Sequence, residues 1–301
     1  MKALKYSEWT ETAHILHMVF QMMGKVKLVK LRAQPEWSHV LIYPTAKGFS
    51  TGLIPDGGRS FTISLHIGDA MVYAHSTDGA VAGFPLRGRA SVSEYYQNFT
   101  RMLAHINHTA KFSSKPQEVP DTTPFEAQAT KYDFDRGAAE VYFENCIFAH
   151  NALLDFASPF RGKKILPALF WGTFDMTAVL FAGVDQPFPG KGVIEKSAFD
   201  EKLMEFGFWP GDAVVEEPNF FVLPYPFVQT PISTENVTPK EAVFSTEKKE
   251  FFLPLKDVLR YGDPAGTVKQ FCRDAFAAVC KAESWQGVEW FTKPLLIPGA
   301  G

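Results

Sequence analysis

Asp175 stands at the end of a run of rings, Phe170-Trp171-Gly172-Thr173-Phe174-Asp175, where a carboxylate needs a partner or gives up its charge. Buried alone, its pKa would rise toward that of a general base; held by a cation or by backbone donors, it would stay ionised. An aspartate in this place also suits a plainer task, closing a turn or accepting backbone hydrogen bonds at the start of a strand. A second block, Gly207-Phe208-Trp209-Pro210-Gly211, has the same mixture of rings and glycine. The two read as one built site, because glycine beside a ring lets a side chain or ligand lie close to backbone.

Imidazoles come next. His14 and His17 share a helix face with Gln21 and Lys25, and His39 follows Trp37. Neither His-x3-His nor His-Glu-x2-His occurs, so no metal set is assigned, and a solvated helix face is the default for these histidines. Gly48-Phe49-Ser50-Thr51-Gly52 matches a nucleophile elbow, which needs a strand, a strained turn and a helix behind the serine. Leu53-Ile54-Pro55-Asp56-Gly57-Gly58 follows instead, so Ser50 reads as a strand residue. The loop Pro187 to Gly192 lacks the spacing of a phosphate cradle, and Ser76-Thr77-Asp78-Gly79 is a turn.

The elements that must position these groups follow from periodicity. Ile15, Leu16, Val19, Phe20 and Met23 place a helix over about residues 10 to 23. Alternation then predicts strands at Val26 to Leu31, Trp37 to Tyr43, Phe49 to Ile54, Phe61 to Ile67 and Met71 to His75, with a hairpin at Gly68-Asp69. Ser91 with Glu94 is a capping box that opens a second helix. Residues 111–130, polar and proline-bearing, read as a linker between a 1–110 half and a 131–301 half. A long helix from about Asp135 to Phe156 follows, then strands at Lys164 to Phe170 and Phe174 to Phe181 and a short helix near Ser197 to Phe206. Strands at Phe220 to Phe227 and Glu250 to Leu255 come after, and the last helix has Asp263 as its N-cap and Pro264 at its first position. The expected class is α+β: mostly antiparallel sheets packed by long amphipathic helices, in two similar helix-strands-helix halves forming one body.

Composition narrows the function classes. Thirty basic and 33 acidic residues give a net charge of −3 without a basic stripe, which argues against nucleic acid as a partner. No apolar run has the length of a membrane span, and the amino terminus lacks a signal-peptide core, so the expectation is a cytoplasmic protein without membrane attachment. Three cysteines without metal spacing fit that compartment. The 28 Phe against 9 Tyr predict an aromatic-rich core.

His17, Gln21, Gly24 and Lys25, Trp37 and His39, Gly48 to Pro55, Asp78-Gly79, Trp171 to Asp175 and Gly207 to Gly211 together resemble an uncharacterised bacterial family, domain of unknown function 5996. The resemblance spans nearly the whole chain, and the Trp-Gly-Thr-Phe-Asp and Gly-Phe-Trp-Pro-Gly blocks are its most specific parts. It implies no assigned activity, cofactor or catalytic residue. The resemblance implies that histidines tend to occupy the positions of Glu36, Ala168 and Glu201, and this chain has none of the three.

The functional expectation is small-molecule binding in an aromatic-lined pocket between the halves. Trp37, Trp171, Trp209 and Tyr225 would form its walls, and His17, Gln21, His39 and Asp175 its polar groups. The first alternative is a hydrolytic or isomerising enzyme with Asp175 or His39 as the base, with or without a divalent metal. The second is a protein-interaction module presenting an exposed phenylalanine patch. No cofactor is named by any motif.

Overall fold

The computed structural model describes residues 1–229 and 231–296. Helix α1 (Thr10–Lys30) starts where the apolar period predicts, then runs past Gly24 through residues expected to form a strand. The cause is tertiary. Every residue from Met18 to Lys27 is buried, so the helix is covered all round rather than along one stripe. The solvated face expected of its polar residues does not exist at Gln21, which is 0% exposed. Trp37 to Tyr43 is likewise no strand: a 3-10 turn spans Pro35–Val40, with Glu36 and Trp37 at φ 51° and 54°, in the left-handed region that a strand excludes.

Strands β1 (Tyr43–Thr45), β2 (Gly48–Ser50), β3 (Ile54–Asp56), β4 (Arg59–His66), β5 (Met71–Ser76) and β6 (Val81–Pro85) build a six-stranded antiparallel sheet in the order β1-β2-β4-β5-β6, with β3 also on β4. The alternation in β4 is the reason: Phe61, Ile63 and Leu65 are fully buried, while Thr62, Ser64 and His66 keep some exposure. Register sets Ile63 opposite Ala74 and Leu65 opposite Val72 across the Gly68-Asp69 hairpin. A short ladder joins β7 (Arg89–Ser91) to β8 (Lys131–Asp133), on either side of α2 (Val92–His105). The predicted capping box opens α2: Ser91 Oγ accepts from Glu94 N at 3.2 Å, and the Glu94 carboxylate accepts from Ser91 N at 2.7 Å.

The remaining elements are α3 (Arg136–Ala157), β9 (Lys164–Phe170), β10 (Asp175–Asp185), α4 (Val193–Ala198), β11 (Glu201–Trp209), β12 (Asn219–Tyr225), β13 (Val243–Ser245), β14 (Glu250–Pro254), α5 (Leu255–Val258), α6 (Pro264–Ala282) and α7 (Val288–Phe291). A second six-stranded sheet has the order β13-β14-β12-β11-β10-β9. The short helix expected near Ser197 to Phe206 is mostly β11, whose Met204, Phe206 and Phe208 are buried in that sheet. Helix α6 follows its sequence signals: Asp263 Oδ1 caps Gly266 N at 2.9 Å, and Val268, Phe271, Cys272, Ala275, Phe276, Val279 and Cys280 are buried.

These elements form an α+β fold in two units. The first contains Met1–Ile147, Ala168–Asp175 and Pro210–Glu216; the second contains Phe148–Pro167, Met176–Trp209 and Glu217 onward. Residues 111–130 fall within the first unit. Among the described residues, no helix is long and apolar enough to cross a membrane.

The second aromatic block divides between two tasks. In the second unit, register aligns Thr177, Gly207 and Phe221 across three strands, and the Phe221 ring covers the glycine. A Cβ at Gly207 would fall 2.3 Å from both Phe221 Cζ and Thr177 Oγ1. In the first unit, Gly211 (φ 88°) opens a loop whose Asp212 Oδ1 accepts from Val214 N and Val215 N, each at 2.7 Å. Strand propensity alone favours alanine over glycine at position 207. The ring reverses the sign: Gly207→Ala is expected to lower stability by roughly 1–3 kcal/mol in urea melts, and an unchanged or raised midpoint would show that Phe221 yields freely.

Candidate functional site

The other aromatic block is built onto α1. Gly24, in mid-helix, is the seat of Trp171: a Cβ there would lie 2.1 Å from the indole Nε1. Between β9 and β10 the chain turns through Trp171, Gly172 and Thr173, with Phe174 N bonded to Phe170 O at 2.8 Å. Phe174 sits at φ 66°, a left-handed conformation costly for a bulky side chain. Its ring is held in place by His17, stacked at 4.7 Å and 8°, and by Tyr142, stacked at 5.1 Å. Trp9 extends the stack, 5.0 Å from Tyr142.

Three polar residues of α1 reach the turn and the segment after α2. His17 Nε2 lies 3.0 Å from both Trp171 O and Gly172 O. Two carbonyl acceptors assign the ring proton to that nitrogen. Burial pushes the imidazole down to about 4, with the two carbonyl contacts opposing, so it is neutral at pH 7. Gln21 makes a two-way amide pair with the Gln117 backbone, donating to Gln117 O at 2.7 Å and accepting from Gln117 N at 3.1 Å. Lys25 Nζ donates to Gln117 Oε1 at 2.9 Å and lies 5.8 Å from the centre of the Trp171 ring.

Lys25 is the electrostatic anomaly. It is 2% exposed, and burial, the one cause at work on it, lowers its pKa to about 8. Trp171 is 6% exposed, and its Nε1 has no hydrogen-bond partner. Two buried donor groups thus share one neighbourhood with spare donor capacity. Glu118, at φ 57°, brings its carboxylate over Gly172, where a Cβ would fall 1.7 Å from Oε2.

The structure therefore joins His17, Gln21 and Trp171 of the expected set and adds Lys25 and Gln117 to them. Trp37 and His39 meet each other, ring centres 5.8 Å apart. His39 Nδ1 accepts from Gln34 N at 3.1 Å, and burial, with the charge of Lys27 second, lowers its pKa. Lys27 itself donates to Leu41 O and is lowered to about 8 by burial. Asp175, buried, accepts the Thr173 hydroxyl, and its charge adds to the burial that raises Tyr142 and Cys146. Trp209 and Tyr225 belong to the second unit, where Tyr225 packs against Phe199 at 5.0 Å and Phe227 at 5.4 Å. Glu36 is buried beside Trp37 in the 3-10 turn, Ala168 is buried, and Glu201 pairs with Lys163 at 2.7 Å. Among the described residues, no group of three His, Cys, Asp or Glu could hold a metal ion.

Ser50 lies on β2 with no helix behind it; its Oγ accepts from Gly52 N at 3.2 Å. A serine, histidine and aspartate in relay order do occur elsewhere: His108 Nε2 is 3.1 Å from Ser76 Oγ, and His108 Nδ1 is 2.8 Å from Asp56 Oδ2. Lys30 holds the other oxygen of Asp56 at 2.8 Å. Acyl transfer also needs amide donors free to receive an oxyanion. Here they are used: Thr77 N donates to Ser60 O, Gly79 N to Ser76 O and Ala80 N to Asp78 Oδ1. With His108 1% exposed, the trio is a latch tying β3, β5 and the chain after α2. A fluorophosphonate is expected to label neither Ser50 nor Ser76, and His108→Ala should cost about 2–3 kcal/mol of stability by leaving Asp56 and Ser76 without their shared partner. Covalent labelling of Ser76 would overturn the latch.

A surface groove of about 640 Å³ is lined by Asp69, Met71, Tyr73, Arg87, Phe134 and Arg136 among others. Both of its arginines are exposed.

The His17 pair generates a pH dependence. Between pH 6.5 and about 4, the imidazole is neutral in the folded chain and protonated in the unfolded one. The unfolded state binds the extra proton, so stability falls as pH drops through that window and is fully present above it. The loss attributable to His17 is expected to reach about 3 kcal/mol near pH 4, read as the difference between wild-type and His17→Gln urea melts at several pH values. A constant difference would mean that His17 titrates normally.

The chain belongs to the family of unknown function DUF5996, which matches residues 1–290. No curated protein and no solved structure matches it.

Proposed function

We propose that this member of DUF5996 is a small-molecule-binding protein whose site lies in the first unit, where α1, the Trp171 turn and the chain around Gln117 meet. The observation that carries this is Lys25, a buried ammonium with an amide oxygen as its hydrogen-bond partner. Lowering an amine from its ordinary 10.5 to about 8 means that holding its charge at neutral pH costs roughly 3 kcal/mol. A helix interior does not keep such a cost for packing alone, since an apolar side chain of the same length fills the space without it. Strain and unrelieved polarity concentrate where a ligand supplies the missing partner.

The same reading retains a cytoplasmic location, supported by three free, buried cysteines. It also retains a 1–110 and 131–301 division into halves of similar plan, supported by the presence of two six-stranded sheets, each accompanied by long helices.

Lys25→Met is the test. At pH 7 it is expected to raise stability by about 1–3 kcal/mol, several degrees in Tm; in native mass spectrometry the wild-type protein is expected to carry a small molecule and Lys25→Met to carry none. A variant less stable than wild type would make Lys25 a structural strut and remove the ground for a site.

A further inference from the structure

Resting on that reading, we propose that the site takes an oxyanion, a carboxylate or phosphate group on a small molecule, and that the Gln117 side chain holds its place until the ligand displaces it.

The argument is one of donors and acceptors. Lys25 carries three N–H donors and no acceptor, and Gln117 Oε1 is its hydrogen-bond acceptor. Trp171 Nε1 is a donor only, and it is buried without a partner. His17 faces the turn, its Nε2–H already shared between two carbonyls, so that donor is taken. The Lys25 ammonium and the Trp171 N–H therefore offer only donors, and no charged group offsets the burial of the ammonium. An oxyanion satisfies both the charge and the directional N–H groups; a neutral amide satisfies part of one.

Gln117 is suited to step aside. Its backbone is fastened by the two bonds to the Gln21 side chain, so the segment stays docked when the Gln117 side chain withdraws. The side chain itself is held by one charge-assisted bond, which an anion replaces with a stronger one. Gln117 is also only half-buried, whereas Lys25 and Trp171 are fully covered, so the glutamine lies on the side from which solvent and ligand arrive.

The experiment follows the indole N–H signal of Trp171 in the full-length, ¹⁵N-labelled protein, identified by its loss in Trp171→Phe. The probes are benzoate, inorganic phosphate and benzamide, the last a neutral counterpart of benzoate. The expected result is a saturable shift with benzoate or phosphate, weakened at least about ten-fold in Lys25→Met and tightened about ten-fold in Gln117→Ala, where the competing acceptor is gone. Which anion binds tighter separates a carboxylate from a phosphate ligand. If benzamide shifts the signal as well as benzoate does and Lys25→Met leaves both unchanged, the site binds small molecules and the oxyanion inference fails alone. If no probe moves the signal in wild type or in Gln117→Ala, the inference and the site fail together. An affinity unaltered by Gln117→Ala overturns the displacement of the glutamine.

Discussion

The contact on which the first unit depends is an indole resting on a glycine. Trp171 can lie against α1 only because Gly24 has no side chain, and that contact fixes the turn leading to Asp175 on the helix surface. Glycine in a helix interior ordinarily costs about 1 kcal/mol relative to alanine. Here the cost is offset by the burial of a Trp side chain and by the partners the turn then finds. His17 gains two carbonyls, and Phe174 gains two stacked rings that hold it in a left-handed conformation.

Once α1 is covered by the turn, the sheet and the segment around Gln117, its polar residues lose water. Gln21 gives and takes one bond in its two-way pair with the Gln117 backbone, an exchange that resembles a rung of a sheet ladder. Lys27 finds Leu41 O and the face of Tyr43, 4.6 Å away. Lys25 receives less than its charge requires, and Trp171 Nε1 receives nothing. This uneven compensation among neighbours on one helix is the ground of the proposed site, since the same burial acts on all of them.

The serine, histidine and aspartate trio shows the complementary case. Its distances match those of a catalytic relay, yet the amides of Thr77, Gly79 and Ala80 beside the serine are already bonded. Geometry between the three side chains is necessary for acyl transfer and insufficient for it; the surrounding donors decide, and here they serve the fold.

What the sequence determined alone is the part governed by neighbours a few positions apart. The Ser91 and Glu94 box, the Asp263 cap with Pro264 and the alternation of β4 all act over one helical turn or one strand pleat, and the structure keeps each of them. The class of the fold was legible for the same reason. Tertiary structure decided whether Gly24 ends a helix or seats an indole, whether residues 201–209 form helix or strand, and which polar groups lose water. Lys25 meets Gln117 across 92 positions and His17 meets Trp171 across 154. No local pattern encodes contacts at that separation, because the free energy that selects them comes from burial, which exists only after the chain has closed around them.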